Sequence, residues 1–180
     1  MHLLANRHMA KVKKVTKSKK INAAGGVLFR KKDFQQYPNS TGVPSNIEVV
    51  LIERNGLWDI PKGKVEKKEG IAAAAVREVE EEIGVSTLLL THFITTTEHT
   101  YHQKAKEYFK TTYWYGMVLP VYMNTSNHPS FVTKDEFTAQ LEEGITRVEW
   151  VPLDEAISRV AFDNLKAVLC TFRDLWNLRA

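Results

Sequence analysis

The chain has a single cysteine, Cys170, among 180 residues. That count excludes an internal disulfide and any zinc site built from several cysteines. Cys170 lies on an apolar stripe at helical spacing, which predicts a buried core residue. No apolar run approaches the ~20 residues of a membrane span. The N-terminus lacks the apolar core of a secretory signal, so the cytoplasm is the expected compartment. There is no internal repeat. With 43% hydrophobic and 26% charged residues, what remains is an ordinary globular composition, long enough for one domain with a sizeable core.

Basicity is not spread along the chain. Arg7 and six lysines between Lys11 and Lys20 carry +7 of a total of +4, which leaves residues 21–180 at −3. The expected organisation is a basic extension over residues 1–20 and a folded domain over 21–180. Such a run attracts nucleic acid or acidic surfaces. More commonly it is a solvated extension, and this one has no apolar periodicity with which to fold.

Ile21 to Arg30 reads as the strand opening the domain, and Ile47 to Glu53 as a second one rich in β-branched residues. Lys31 to Asn46 between them is a polar loop holding Pro38, Gly42 and Pro44. Asn55-Gly56 marks a turn. Two long β-rich runs, Leu88 to Tyr101 and Tyr108 to Tyr122, flank a charged segment and predict a hairpin. Asn124 to Gly144 is polar and long enough to be a functional loop. Arg147 to Val151 is a short strand stopped by Pro152, a helix follows from about Asp154, and a last helix starts with Asp163 as its N-cap. Leu165, Val168, Leu169, Phe172 and Leu175 keep helical spacing, so this helix docks on the core. A mixed sheet with helices on both faces is the economical arrangement.

The chemistry is concentrated between Gly63 and Val85. Gly63 is followed after five residues by Glu69, and after seven more by Arg77-Glu78-Val79-Glu80-Glu81-Glu82-Ile83-Gly84-Val85. From about Glu69 to Ile83 the chain is helix-compatible, with four consecutive alanines, no proline, and Gly84 placed to end it. Ala72, Val76, Val79 and Ile83 share one stripe, expected to face the core. Glu78, Glu81 and Glu82 stand at i, i+3, i+4, so their carboxylates are expected to converge on the opposite face. A helix gains nothing from three carboxylates held that close. Hard divalent cations, which prefer oxygen ligands, would neutralise them. Ala74, one turn before Glu78, is expected to leave room for a substrate. Glutamate-rich helix faces are usually solvated surface; the offsets of Gly63, Glu69 and Arg77 argue for metal binding instead.

This spacing resembles the G-x5-E-x7-R-E-U-x-E-E-x-G-U box of the Nudix (MutT-like) hydrolases, in which U is aliphatic. The resemblance covers roughly residues 21–178 and implies an α/β/α sandwich. It also implies Mg2+-dependent hydrolysis of a nucleoside diphosphate linked to another group, with Mn2+ able to substitute. By the same resemblance Glu78, Glu81 and Glu82 are the metal ligands and the Gly63 carbonyl completes the sphere. Arg77 orients a carboxylate through a bidentate contact, and Glu69 supports the loop–helix geometry. The general base is a box glutamate or a carboxylate on a later loop, for which Glu142 or Glu143 is the candidate and Glu98 a weaker one.

Lys110-Thr111-Thr112-Tyr113-Trp114 resembles the K-x-x-Y-W pattern of Nudix diadenosine polyphosphate hydrolases, in which the lysine and tyrosine lie near the polyphosphate. Trp58-Asp59-Ile60-Pro61-Lys62-Gly63 resembles the W-x-x-P-K-G entry of polyphosphate-cleaving subfamilies. Arg54, Lys62 and Tyr101 are pocket candidates by position, whereas Trp114 and Tyr115 read as core aromatics. The proline some sixteen residues past the box that marks ADP-ribose enzymes is absent, residue 101 being Tyr. A coenzyme A motif and the glycine-rich entry of the diphosphoinositol branch are absent as well. The first substrates expected are dinucleoside polyphosphates. The alternatives are a nucleotide-sensing binding module and an RNA 5′-end pyrophosphohydrolase guided by the lysine run. All box glutamates are intact, and the ~20-residue extension is too short for an independent DNA-binding fold.

Overall fold

The computed structural model describes residues 18–31, 47–104, 106–120 and 136–178. Among them seven strands form one mixed sheet: β1 (Lys19–Lys31), β2 (Ile47–Arg54), β3 (Leu57–Asp59), β4 (Lys62–Lys64), β5 (Leu89–Gln103), β6 (Lys106–Val118) and β7 (Ile145–Pro152). The order is β3-β2-β1-β6-β5, with β4 paired to β1 and β7 to β2. Only β1 and β6 run parallel, in unbroken register from Lys19 opposite Tyr108 to Leu28 opposite Met117. The expected hairpin is β5–β6, and its register shifts between Leu90 and His92 and again between Phe93 and Thr95. Asn55 and Gly56, both at positive φ, make the tight turn that returns β2 into β3.

Three helices cover the two faces. Helix α1 (Ile71–Ile83) packs on one, where Ala74, Ala75, Val79 and Ile83 meet Leu28, Val50 and Met117. Helices α2 (Leu153–Arg159) and α3 (Asp163–Asn177) cover the other, where Leu165, Val168, Leu169 and Phe172 meet Trp114, Val27 and Leu51. This is the expected α/β/α sandwich. No helix among the described residues is long and apolar enough to cross a membrane.

Several local expectations need correction. The buried stripe of α1 is rotated: Ala74 and Ala75 are fully buried whereas Ala72 is exposed. Ala74 therefore packs in the core and leaves no open room beside the carboxylates. Asp163 is the first residue of α3 and not its cap, because its carboxylate takes the Lys166 ammonium at 3.0 Å while Phe162 holds the cap position. Cys170 is half-buried, not fully buried. The first strand begins at Lys19, so Lys19 and Lys20 pair with Tyr108 and Phe109 of β6 instead of belonging to the extension. Residues 1–17, most of the loop between Lys31 and Asn46, and residues 121–135, including Tyr122, lie outside the described residues.

Helix α1 ends at Gly84, whose φ of 68° no β-carbon favours. The segment after residue 135 docks on this end: Thr138 N–H donates to the Ile83 carbonyl at 3.0 Å and Gln140 N–H to the Glu82 carbonyl at 3.3 Å. A β-carbon at Gly84 would lie 2.6 Å from the Thr138 carbonyl. Gly84→Ala is expected to cost about 1–3 kcal/mol and to lower the thermal midpoint by roughly 2–10 °C. Differential scanning calorimetry of the variant checks this, and an unchanged midpoint would contradict the docking.

Candidate active site

The box folds around the guanidinium of Arg77. Its Nε donates to Glu69 Oε1 at 2.7 Å and its Nη2 to Glu69 Oε2 at 2.9 Å, a bidentate pair that ties the loop after β4 to α1. Nη2 also donates to the Lys64 carbonyl at 3.3 Å, and Nη1 reaches Glu81 Oε2 at 3.0 Å and Glu78 Oε1 at 2.9 Å. The Arg77 hydrogen bonds, with the Glu66 N–H, hold the Glu69 carboxyl down at about 2. The same carboxylates raise Arg77 far above its ordinary value.

The three ligand candidates sit at graded depths. Side-chain exposure is 1% for Glu82, 13% for Glu78 and 48% for Glu81. Glu82 points inward, where Arg54 Nη2 pairs with Oε1 and the Lys62 N–H donates to Oε2 at 3.0 Å. Burial outweighs both partners and pushes its carboxyl up to about 7. Burial also raises Glu78, with the negative charges of Glu81 and Glu143 adding to the effect. The expected convergence of the three carboxylates on the face opposite the core is thus corrected. Among the described residues no three acidic or histidine side chains gather as a cation cluster, because Arg54 and Arg77 draw the glutamates to separate partners.

The donor set nonetheless suits a hard divalent cation. Three carboxylates lie within five positions of one helix, and burial disfavours the charge of Glu82 even with Arg54 beside it. Gly63 is the complementary element. A β-carbon there would overlap the Glu78 carboxylate as it now stands and would force it to move.

Around this acidic centre stands a ring of cations. Lys62 pairs with Asp59, which also accepts the Ile60 N–H at 2.7 Å. Lys110 lies directly across the β5–β6 pair from His99. Burial, with the positive charge of Lys62 next, lowers the Lys110 ammonium from its ordinary value. Lys110 makes no ion pair among the described residues. By alternation along the unbroken strand Tyr113 falls on the face of β6 that carries Met117 under α1, and Lys110 on the face that carries Trp114. Arg54 Nη1 lies 3.8 Å from Glu143 Oε2, at the end of a one-turn 3-10 helix (Leu141–Glu143) held against β2 by the Asn55 N–H to Gly144 carbonyl bond of 2.9 Å. Trp114 is core, as expected, with its indole N–H on Thr97 Oγ1 at 2.9 Å. Sequence reasoning missed Asp59, whose i,i+3 spacing to Lys62 was the available signal, and His99, whose place depends on the two register shifts in β5.

The pattern described as the NUDIX domain matches residues 38–169. The chain is 30% identical over 154 residues to the asymmetrical bis(5′-nucleosyl)-tetraphosphatase of Sus scrofa, covering 83% of this chain and 90% of that protein. It is 29% identical over 154 residues to the 8-oxo-(d)GTP phosphatase of Mycolicibacterium smegmatis, covering 84% of this chain but only 41% of that longer protein. The Ap4A hydrolase of C. elegans in a binary complex superposes with a TM-score of 0.57 at 21% identity, covering 87% of this chain and 98% of that one. A Nudix hydrolase of Listeria monocytogenes superposes with a TM-score of 0.65 at 16% identity, covering 87% and 94%. These two structures establish the fold, and the sequence match, which takes in the whole box, establishes more: this chain belongs to the Nudix family.

Proposed function

We propose that this chain hydrolyses the pyrophosphate link of a nucleoside diphosphate joined to another group, with Mg2+ as cofactor and dinucleoside polyphosphates as the first substrates to test. The observation that carries the proposal is a pairing of opposite charges. Lys110, desolvated and without an ion pair among the described residues, has Lys62, Asp59, Arg54 and the box carboxylate Glu82 as its charged neighbours. A polyphosphate bridging cation and lysine would satisfy both. The names of the pig and nematode relatives, a tetraphosphatase and an Ap4A hydrolase, support this substrate class.

Glu78, Glu81, Glu82 and the Gly63 carbonyl would hold the cation, which neutralises phosphate oxygens and acidifies a bound water. The protein's own groups do the rest. Arg77 and Glu69 lock the loop to the helix, so the ligand positions do not drift between turnovers. Lys110 and Lys62 take non-bridging phosphate oxygens and restrain the leaving polyphosphate. Glu143, at the edge of the site, accepts the proton of the attacking water. The water oxygen bonds to phosphorus, the bridging P–O bond breaks, and the leaving phosphate carries away the electron pair. Arg54 sits between Glu82 and Glu143 and keeps the two carboxylates from repelling one another. The intact set of box glutamates favours this reading over a nucleotide-sensing module.

Glu81 is the cleaner test of cation binding, because Glu82 also balances the partly buried Arg54. Glu81→Gln is expected to lower kcat by at least about a hundredfold with little change in thermal midpoint, and Glu82→Gln to lower both. Steady-state kinetics with calorimetry checks this; full activity of Glu81→Gln, or wild-type turnover in excess chelator, would contradict it. Because the Glu82 carboxyl is raised to about 7, the cation must displace a proton below that pH. Its apparent affinity should therefore climb from pH 5.5 toward 7.5 and then level off. Isothermal titration of Mg2+ in buffers of different ionisation enthalpy measures the released proton, and an affinity flat across that range would refute the linkage.

For Lys110→Ala, kcat/KM on dinucleoside polyphosphates should fall roughly ten- to hundredfold, with a smaller effect on a short pyrophosphate substrate. A change within twofold on every substrate would return Lys110 to a merely structural place in the strand.

A further inference from the structure

The start of β1, whose Ile21 lies opposite Lys110 of β6, and the loop after β4 enclose a groove of about 340 Å³. It is lined by Lys19, Lys20 and Asn22 on one wall and by Lys64, Glu66 and Glu69 on the other. Of its two carboxylates, Glu69 is already neutralised by the bidentate Arg77 contact. Lys67 and Lys68 follow on the exposed turn of the same wall. The groove thus presents an excess of positive charge with no internal partner for it.

Two further features give the groove a direction. Its first wall continues in sequence into Lys17, Lys14, Lys13, Lys11 and Arg7. The seven basic residues up to Lys20, with Lys64, Lys67 and Lys68, carry +10 of a total of +4, so the remainder of the chain carries −6. Of these, Lys19, Lys20, Lys64, Lys67 and Lys68 stand on this flank among the described residues, and a polyanion is attracted to them. The second wall starts at Lys64, the last residue of β4, whose carbonyl accepts from Arg77 of the box. A chain lying in the groove would therefore run alongside the candidate active site. No aromatic ring lines the groove, so it offers phosphate contacts without stacking on bases.

We propose that the Lys19–Lys20–Lys64 groove is a binding track for single-stranded nucleic acid, held by its phosphodiester backbone without regard to sequence. Ile21, Val65 and Ile71 also line it, but its concave shape favours a threaded polyanion over a flat anionic membrane surface. The track is independent of which small nucleotide the active site cleaves.

The test uses the full chain and a labelled RNA of about twelve nucleotides with a 5′-hydroxyl, which offers no pyrophosphate to the active site, together with its DNA counterpart. Anisotropy is read from low to physiological salt for wild type, for Lys19→Ala/Lys20→Ala/Lys64→Ala, and for Lys166→Ala/Arg173→Ala on α3 as a control away from the groove. The groove variant should bind at least about tenfold more weakly. Its log–log salt slope should be shallower by about 2, since each phosphate contact on a single strand contributes roughly 0.7. Its hydrolysis of a dinucleoside polyphosphate should stay within twofold of wild type, which separates failure of the track from failure of the active-site reading. An unchanged slope, assigning all affinity to the residues before Lys19, would overturn the proposal. So would equal weakening by the control pair, or binding to anionic vesicles in preference to either oligonucleotide.

Discussion

The Arg77 guanidinium reaches Glu69, the Lys64 carbonyl, Glu78 and Glu81 from one plane, and no other interaction joins so much of the box. The loop after β4 contributes no helix or sheet of its own beyond Lys64. It is held to α1 by this one side chain and by the close passage of Gly63 against Glu78. A lysine could supply the charge but not the planar fork that serves two walls at once. The same group offsets like-charge repulsion among glutamates that the core-facing side of α1 forces to stay close. Loop, helix and glutamates therefore behave as one unit, joined by the contacts of Arg77 to Glu69, the Lys64 carbonyl, Glu78 and Glu81.

The graded burial of the three glutamates gives them unlike parts. Glu81, half-exposed, is free to reorganise at little cost. Glu82, nearly inaccessible, is balanced by Arg54 and a backbone N–H, so its charge is part of the folding balance as well as of the chemistry. Glu78 lies between these extremes. Arg54 and the Lys62 backbone reach Glu82 from β2 and β4, and Lys110 of β6 has Lys62, Asp59, Arg54 and Glu82 as its charged neighbours. The parallel β1–β6 pair at the middle of the sheet is what brings those strands alongside one another.

Much of this was legible in the residues. The box spacing located helix α1 and its end at Gly84, and alternation and turn residues located the main strands and the hairpin. What was not legible depended on contrast or register. Four consecutive alanines give no hydrophobic contrast, so the rotation of α1 could not be read from them; the burial of Glu82 against Arg54, a residue 28 positions earlier, sets it. His99 meets Lys110 only because β5 carries two register shifts before it. Lys19 and Lys20 looked like the end of a solvated run because β1 begins with two exposed residues ahead of its buried stretch.

The central claim is that the acidic helix and its surrounding cations direct water onto phosphorus in a nucleotide-linked pyrophosphate. Its most direct measurement is hydrolysis of diadenosine tetraphosphate with Mg2+ in 18O-enriched water, with the products resolved by mass spectrometry. The account predicts nucleotide products only, with a single 18O on a phosphate of one product and none on a ribose oxygen. Absence of turnover on this and every other nucleotide pyrophosphate supplied with Mg2+ or Mn2+, or label appearing on the ribose, would contradict it.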